Sequence, residues 1–239
     1  MTVLADLTWP ETARLAAVDG VLAVPIGSTE QHGPHLPLGT DTDVATALAG
    51  RLASSRLDVI VAPPVGYGSS GEHAGFAGTI SIGQAALELM LVELGRSAAE
   101  TFRHIVFVSA HGGNHQPVTR AVQRLQAESH HVMAWMPGRR RDPTTAAISG
   151  DAHAGRAETS IQLALDPARV RLSLAERGNC TSIVELMPVM RAGGVRAVSR
   201  SGVLGDPVGA SAAEGVELLS RLEADLLAAV GVWLRQEPS

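Results

Sequence analysis

Short, almost uniformly apolar runs alternate along this chain with longer stretches of helical period, and no other feature limits the fold as strongly. Four such runs occupy residues 21–26, 59–62, 105–109 and 132–136. Strands that are apolar on both faces are typical of a parallel sheet, whereas half-exposed antiparallel strands alternate with polar residues. The pattern therefore predicts an α/β protein with a mostly parallel sheet covered by helices.

Helix-start signals fill the intervals between these runs. Capping boxes that begin at Ser81 and Ser211, and a proline at position 117, precede three of the predicted helices. Two more helices are expected after Thr42 and over about 155–165. No repeat or linker is visible in the sequence, so we expect a single domain over residues 1–239. The glycine-rich stretch 177–208 is expected to be irregular, as a lid, an oligomer contact or a surface excursion.

Composition narrows the classes of function. A chain of 239 residues can bury a substantial core without a structural metal, so any metal is expected to be functional. The net charge is -5, and all 19 basic residues are arginines. The only cluster of arginines is 139–141, which favours a solvated loop over nucleic-acid binding. The lone Cys180 excludes an intramolecular disulfide and a cysteine zinc cage. The sequence has no signal-peptide pattern and no apolar stretch of about 18 residues, which predicts a cytoplasmic protein without membrane contact.

Two clusters of polar residues follow predicted strands. Glu30 and His32 stand two residues apart after the first strand, so an extended chain sends both side chains the same way, and Asp41 follows a proline-stiffened loop. His111 comes directly after the third strand. Ligand sites in open parallel sheets lie at the carboxyl ends of strands, so both clusters can face one crevice. Carboxylates and imidazoles converging there indicate a divalent-metal site.

A third cluster places His153 in a loop and Glu158 in the first turn of the next predicted helix. Each cluster has an ordinary explanation when taken singly. His111 could be a core histidine bonded to backbone, and Glu158 could only complement a helix dipole. Three clusters at strand-to-helix junctions together favour a common site.

Residues 66–71 spell the Gly-x-Gly-x-x-Gly dinucleotide fingerprint, but the sequence continues as a loop instead of opening a helix. We therefore expect no nicotinamide or flavin. This loop instead offers Tyr67, Glu72 and His73 as substrate contacts, although they could equally only shape the turn. No Gly-x-Ser-x-Gly elbow appears at a strand-to-helix turn, which argues against a serine hydrolase.

The clusters together resemble the creatininase (creatinine amidohydrolase) family. The motif residues are Gly-Ser-Thr-Glu-Gln-His-Gly-Pro-His-Leu-Pro-Leu over 27–38 with Asp41, His-Gly-Gly-Asn over 111–114, and His-Ala-Gly-x-x-Glu-Thr-Ser over 153–160. The resemblance covers about residues 4–233. Within the family the chain is most similar to the mycofactocin-system branch, through residues 70–73, 151–160 and 193–207.

The resemblance implies a three-layer α/β/α sandwich, assembled as a homo-oligomer, with two divalent ions per subunit. Zinc, iron(II) and manganese all suit mixed nitrogen and oxygen ligands. True creatininases carry a second glutamate where this chain has Gly113, which argues against creatinine as substrate and favours Glu158 as the fifth ligand. By position, with Asp41 bridging, the implied ligands are Glu30, His32, Asp41, His111 and Glu158.

The implied activity is that of a dinuclear-metal amidohydrolase. It would be a peptidase that cleaves near the C-terminus of the modified mycofactocin precursor peptide and releases a C-terminal dipeptide-derived fragment. His153 would pass a proton to the leaving amine, and Asp43 and His115 would lie behind the ligands. The alternatives are a creatinine or formamide hydrolase of the same family and a non-catalytic, metal-stabilised scaffold.

Overall fold

A computed structural model describes residues 1–137 and 151–236. In this part of the chain, five parallel strands form one sheet in the order β1-β3-β2-β4-β5. The strands are β1 (Thr2–Val3), β2 (Val21–Ile26), β3 (Val59–Val61), β4 (His104–Ser109) and β5 (His131–Trp135). The α-helices are α1 (Trp9–Ala16), α2 (Thr40–Ser55), α3 (Gly83–Ala99), α4 (His115–Ala127), α5 (Arg156–Leu165), α6 (Ile183–Gly193) and α7 (Ala212–Arg235).

Helices cover both faces of the sheet. Along β2, Leu22 and Val24 pack against residues of α3 and α4, whereas Val21 and Ala23 pack against residues of α2, α5 and α7. Every residue of β2 and β4 is buried as a result. The predicted α/β/α sandwich is therefore confirmed, and burial on both faces explains why the strand sequences do not alternate.

The predicted strands agree with the observed ones to within one residue, and β1 is too short to produce a pattern. Ser211 caps α7 as predicted, since its hydroxyl accepts the Glu214 N–H at 3.2 Å. The prediction of a capping box at Ser81 is wrong. The Ser81 hydroxyl accepts the N–H groups of Ser70 and Gly83, and α3 begins one residue later than that box requires.

The prediction that residues 177–208 are irregular is also wrong in part, because α6 lies within them. Ser182 caps this helix by accepting the Glu185 N–H at 3.4 Å. Pro188 inside the helix and Gly193 at its end obscure this signal in the sequence.

No helix in the two described ranges is long and apolar enough to span a bilayer. The arginine cluster 139–141 lies outside the described residues, as does the loop prediction made for it.

Candidate metal centre

Strand ends and helix starts bring the predicted site residues together at one edge of the sheet. Glu30 and His32 follow β2, and His111 follows β4. Asp41 lies in the first turn of α2, which begins at Thr40, directly after the proline-stiffened loop. All four side chains are at most 5% exposed.

Asn114 fastens the loops that carry these residues. Its side-chain amide donates to the Gly27 carbonyl at 2.9 Å, and its carbonyl oxygen accepts the Ser69 N–H at 2.9 Å. One side chain thereby joins the segments that follow β2, β3 and β4. The last residue of the His-Gly-Gly-Asn motif is therefore a structural clamp.

Asp151 shapes the segment that carries His153 and Glu158. Its carboxylate accepts the Ala157 N–H at 2.8 Å in the first turn of α5. A Cβ at Gly155 would lie 1.4 Å from the Asp151 carboxylate, so that position requires glycine. The turn brings the Ala154 N–H to Glu158 Oε2 at 2.6 Å and places Glu158 in the first turn of α5, as predicted.

Glu30, Asp41 and His111 form one group whose potential ligand atoms all lie within 4.8 Å of one another. Glu30 Oε2 is 3.1 Å from His111 Nε2, and Asp41 Oδ2 is 3.5 Å from His111 Nδ1. Two buried carboxylates therefore face one imidazole.

A second group with the same spacing consists of His32, His153 and Glu158, and a third, Glu30, His73 and His153, shares one residue with each of these two. His32 Nε2 lies 3.9 Å from Glu158 Oε2 and 3.3 Å from Asp41 Oδ1. The two oxygens of Asp41 thus face His32 and His111 respectively. Asp41 therefore stands between the first two groups.

Several buried polar atoms of these groups have no hydrogen-bond partner. They are both carboxylate oxygens of Glu30, Asp41 Oδ2 and His32 Nε2. A buried polar atom without a partner is destabilising, so the unpartnered carboxylate and imidazole atoms of these groups fit a site that binds cations. Carboxylate oxygens and imidazole nitrogens are ligands for zinc, iron(II) and manganese, so these residues fit the implied ions.

The electrostatics of the histidines support this assignment. Burial alone would lower the pKa of His32, but the charges of Asp41, Glu158 and Glu30 outweigh burial and raise that pKa to about 10. Burial opposes the same effect at His111, where Glu30 and Asp41 raise the pKa to about 10. Without metal, protons on these two rings would balance the buried carboxylates.

Two of the three predicted substrate contacts line a cavity above this centre. Glu72 lies at its side, with Oε1 3.6 Å from His111 Nε2, in space left open by the missing side chain of Gly113. His73 is almost fully buried and also faces the centre, with Nε2 3.3 Å from Glu30 Oε1. Tyr67 is half-exposed and does not line the cavity.

Asp43 and His115 have different surroundings. Asp43 forms an ion pair with Arg169 at 2.6 Å, on the outer side of α2. His115 is exposed at the start of α4 and lines the cavity.

The cavity has a volume of about 660 Å³ and is lined by four residues of the ligand groups, Asp41, His111, His153 and Glu158. Helix α6 supplies an apolar wall with Ile183, Met187 and Met190, and Arg191 also lines the cavity. No helix was expected in this stretch, so the wall was not predicted. The Ser182–Glu185 cap was the signal that could have located it.

The creatininase family profile, described as creatinine amidohydrolase, matches residues 5–230. The chain belongs to the creatininase family. It is 50% identical over 214 residues to the mycofactocin precursor peptide peptidase of Mycolicibacterium smegmatis, in an alignment that covers 87% of this chain and 83% of the relative. It is 45% identical over 243 residues to the protein of that name from Mycobacterium tuberculosis, which covers 98% of this chain and 94% of the relative.

Solved creatininases share the fold. A crystal structure of creatinine amidohydrolase has a TM-score of 0.81 and 27% identity, and covers 100% of this chain and 99% of its own. The structure called "Creatininase Mn" has a TM-score of 0.82 and 26% identity, and covers 96% and 97%. As a member of the creatininase family with peptidase relatives, this chain is a metal-dependent hydrolase that acts on C–N bonds of amides or peptides.

Proposed function

We propose that the chain is a dinuclear-metal peptidase that cleaves the modified mycofactocin precursor peptide near its C-terminus and releases a C-terminal dipeptide-derived fragment. The observation that carries the proposal is Asp41, which lines the cavity and whose two oxygens face two separate ligand groups. The peptidase relatives support the choice of substrate. Family resemblance also supports a cytoplasmic homo-oligomer, and sedimentation velocity would measure the assembly.

Glu30, Asp41 and His111 would hold one ion, and His32, Asp41 and Glu158 would hold the other. Zinc, iron(II) and manganese each fit these ligands. Two such ions, when bound, would polarise a carbonyl oxygen and make a water molecule more acidic. Glu158 keeps its orientation through the Ala154 N–H, so this ligand is preorganised.

His153 is the proton carrier in this proposal. It lies against His32, with ring centroids 4.3 Å apart, and lines the cavity. Burial lowers the pKa of His153, so the ring is neutral near pH 7 and able to accept a proton. It would take the proton released as water attacks the carbonyl and return it to the leaving amine. Glu72, at the side of the cavity, would accept a hydrogen bond from a substrate N–H.

The cavity favours a peptide end over a very small amide. Its volume of about 660 Å³ lies within the usual range for drug-sized ligands, which is about 300–1,000 Å³. The apolar wall on α6 would cover apolar side chains of such a substrate. Creatinine is a small polar ring and would leave most of this wall without contact.

The test compares substrates on metal-loaded protein. We expect hydrolysis of the modified precursor peptide, with the C-terminal fragment identified by mass spectrometry, and no turnover of creatinine or formamides. Turnover of a small amide with the peptide left intact would support the alternative hydrolase. No turnover of any substrate by fully loaded protein would favour a scaffold.

Variants of α6 test the role of the wall. Met187→Glu places a charge in the cavity and is expected to raise KM for the peptide while metal content stays unchanged. Val184→Glu makes the same kind of change on a side chain of α6 that is 78% exposed, and should leave KM unaltered. Equal effects of the two substitutions would contradict a substrate-binding wall.

A further inference from the structure

Gln31 stands between two proposed ligands in the sequence and is buried beside the metal centre. Its side-chain nitrogen lies 2.8 Å from His73 Nδ1, 3.2 Å from the Gly202 carbonyl and 3.1 Å from His153 Nε2. The fold makes room for this amide at Gly202, which has a φ of +84° and where a Cβ would lie 1.9 Å from Gln31 Oε1.

The orientation of the amide follows from the backbone. The Gly33 N–H lies 2.9 Å from Gln31 Oε1 and is only a donor, so this end of the amide must be the acceptor. The nitrogen end therefore faces His73 and the Gly202 carbonyl. Its two N–H groups match these two acceptors.

The amide in turn sets the tautomer of His73. Because Gln31 donates to Nδ1, that nitrogen must be unprotonated, and the neutral ring carries its proton on Nε2. Nε2 lies 3.3 Å from Glu30 Oε1. His73 thus presents an N–H, and not a lone pair, to a carboxylate of the metal centre.

The backbone carbonyl of Gln31 sets the tautomer of His153. His153 Nε2 lies 2.7 Å from this oxygen, which can only accept, so Nε2 carries the proton. The contact between Gln31 Nε2 and His153 Nε2 therefore joins two donors and is not a hydrogen bond. The other ring nitrogen, Nδ1, is bare and lies 3.9 Å from Glu30 Oε1.

We propose that Gln31 is a positioning residue that fixes the tautomers of two histidines, with its side chain acting on His73 and its carbonyl acting on His153. The Nε2–H dipole of His73 attracts Glu30 Oε1 across 3.3 Å, and the bare Nδ1 of His153 is the atom that would receive the proton in the proposed reaction. The second of these roles rests on the proposed function. Loss of a residue that orients metal ligands typically weakens metal binding about 10–100-fold.

The experiment uses protein labelled with ¹⁵N in its histidines. Long-range ¹H–¹⁵N spectra at neutral pH distinguish protonated from bare ring nitrogens, and His73→Asn and His153→Asn assign the signals. In metal-free, unaltered protein we expect bare Nδ1 and protonated Nε2 on both rings. A protonated Nδ1 on either ring would overturn the proposal.

Gln31→Glu replaces the donor with an acceptor of the same shape. We expect His73 Nδ1 to become protonated, His153 to keep its tautomer, and metal affinity in chelator competition to fall about 10–100-fold. Gln123→Glu makes the same change on an exposed face of α4 and should alter neither readout. If Gln31→Glu does not fold, Gln31→Met provides the test. Methionine donates no hydrogen bond to His73 Nδ1, so His73 should become a mixture of its two tautomers.

An unchanged His73 tautomer in the folded Gln31 variants would contradict the proposal, and so would a switched tautomer with unaltered metal affinity. No readout uses a substrate. Failure of peptide hydrolysis would therefore refute the proposed function and leave the assignment of Gln31 to be judged on its own data.

Discussion

Asp41 and Asp43 offer a matched pair of substitutions two residues apart on α2. Asp41 faces both ligand groups and is 3% exposed, whereas Asp43 pairs with Arg169 near the surface. Asp41→Asn keeps the shape of the side chain but makes one of its two oxygen positions an NH₂ group, which cannot bind a cation. Because this carboxylate is proposed to serve both ions, we expect Asp41→Asn to lose both.

The size of the effect follows from linkage between binding and folding. A bound ion stabilises the fold by about 2.7 kcal/mol when its free concentration is 100 times its Kd, so two ions contribute about 5 kcal/mol. For a chain of this length, about 2–4 °C in Tm corresponds to 1 kcal/mol, which makes the expected loss about 10–20 °C. Asp43→Asn removes a partly exposed ion pair worth about 0–1 kcal/mol and should lower Tm by at most a few degrees.

The assay combines metal analysis after gel filtration with calorimetry, with and without a chelator. Unaltered protein and Asp43→Asn should both carry two ions, and chelation should lower the Tm of both. Asp41→Asn should carry none, and chelation should not change its Tm. Retention of two ions by Asp41→Asn would refute the bridging role.

Two further predictions concern the same centre. Metal binding at pH 7.5 should release about two protons per chain, because His32 and His111 have pKa values near 10 and are protonated at that pH. Metal affinity should therefore rise with pH. Binding calorimetry in buffers of different ionisation enthalpy measures the protons released, and a result of no release would contradict the prediction. Gly113→Ala should reduce stability by about 1–3 kcal/mol and lower activity, because its Cβ would lie 2.3 Å from Glu72 Oε1 and 2.4 Å from a carbonyl oxygen. Gly112→Ala, where a Cβ meets nothing within 4 Å, is the control, and equal losses in urea unfolding would refute the steric argument.

The sequence was sufficient to predict the layers of the fold and the meeting of the candidate residues at one edge of the sheet. The uniformly apolar strand sequences indicated burial on both faces of the sheet. Residues that follow β2 and β4 were expected to meet because the carboxyl ends of parallel strands lie at the same edge of the sheet. Glu30, His32 and His111 therefore converge as predicted. Asp41 joins them from the first turn of α2.

The parts that were not predicted depend on contacts between distant segments. Helix α6 has one buried residue, Leu186, so no apolar stripe marked it as a helix. Gln31 and Gly202 meet only in three dimensions, which is why the motif alone gave no role to the glutamine. The sequence alone is compatible with His73 as a turn residue, whereas its contacts with Glu30 and Gln31 place it beside the candidate ligands.

Titration of metal-free protein with one divalent ion tests the central claim most directly, when bound metal and hydrolysis of the modified precursor peptide are followed in the same sample. We predict binding that saturates at two ions per chain, with full hydrolysis only when both are bound. Full hydrolysis in thoroughly chelated protein, or at one ion per chain, would contradict a dinuclear centre.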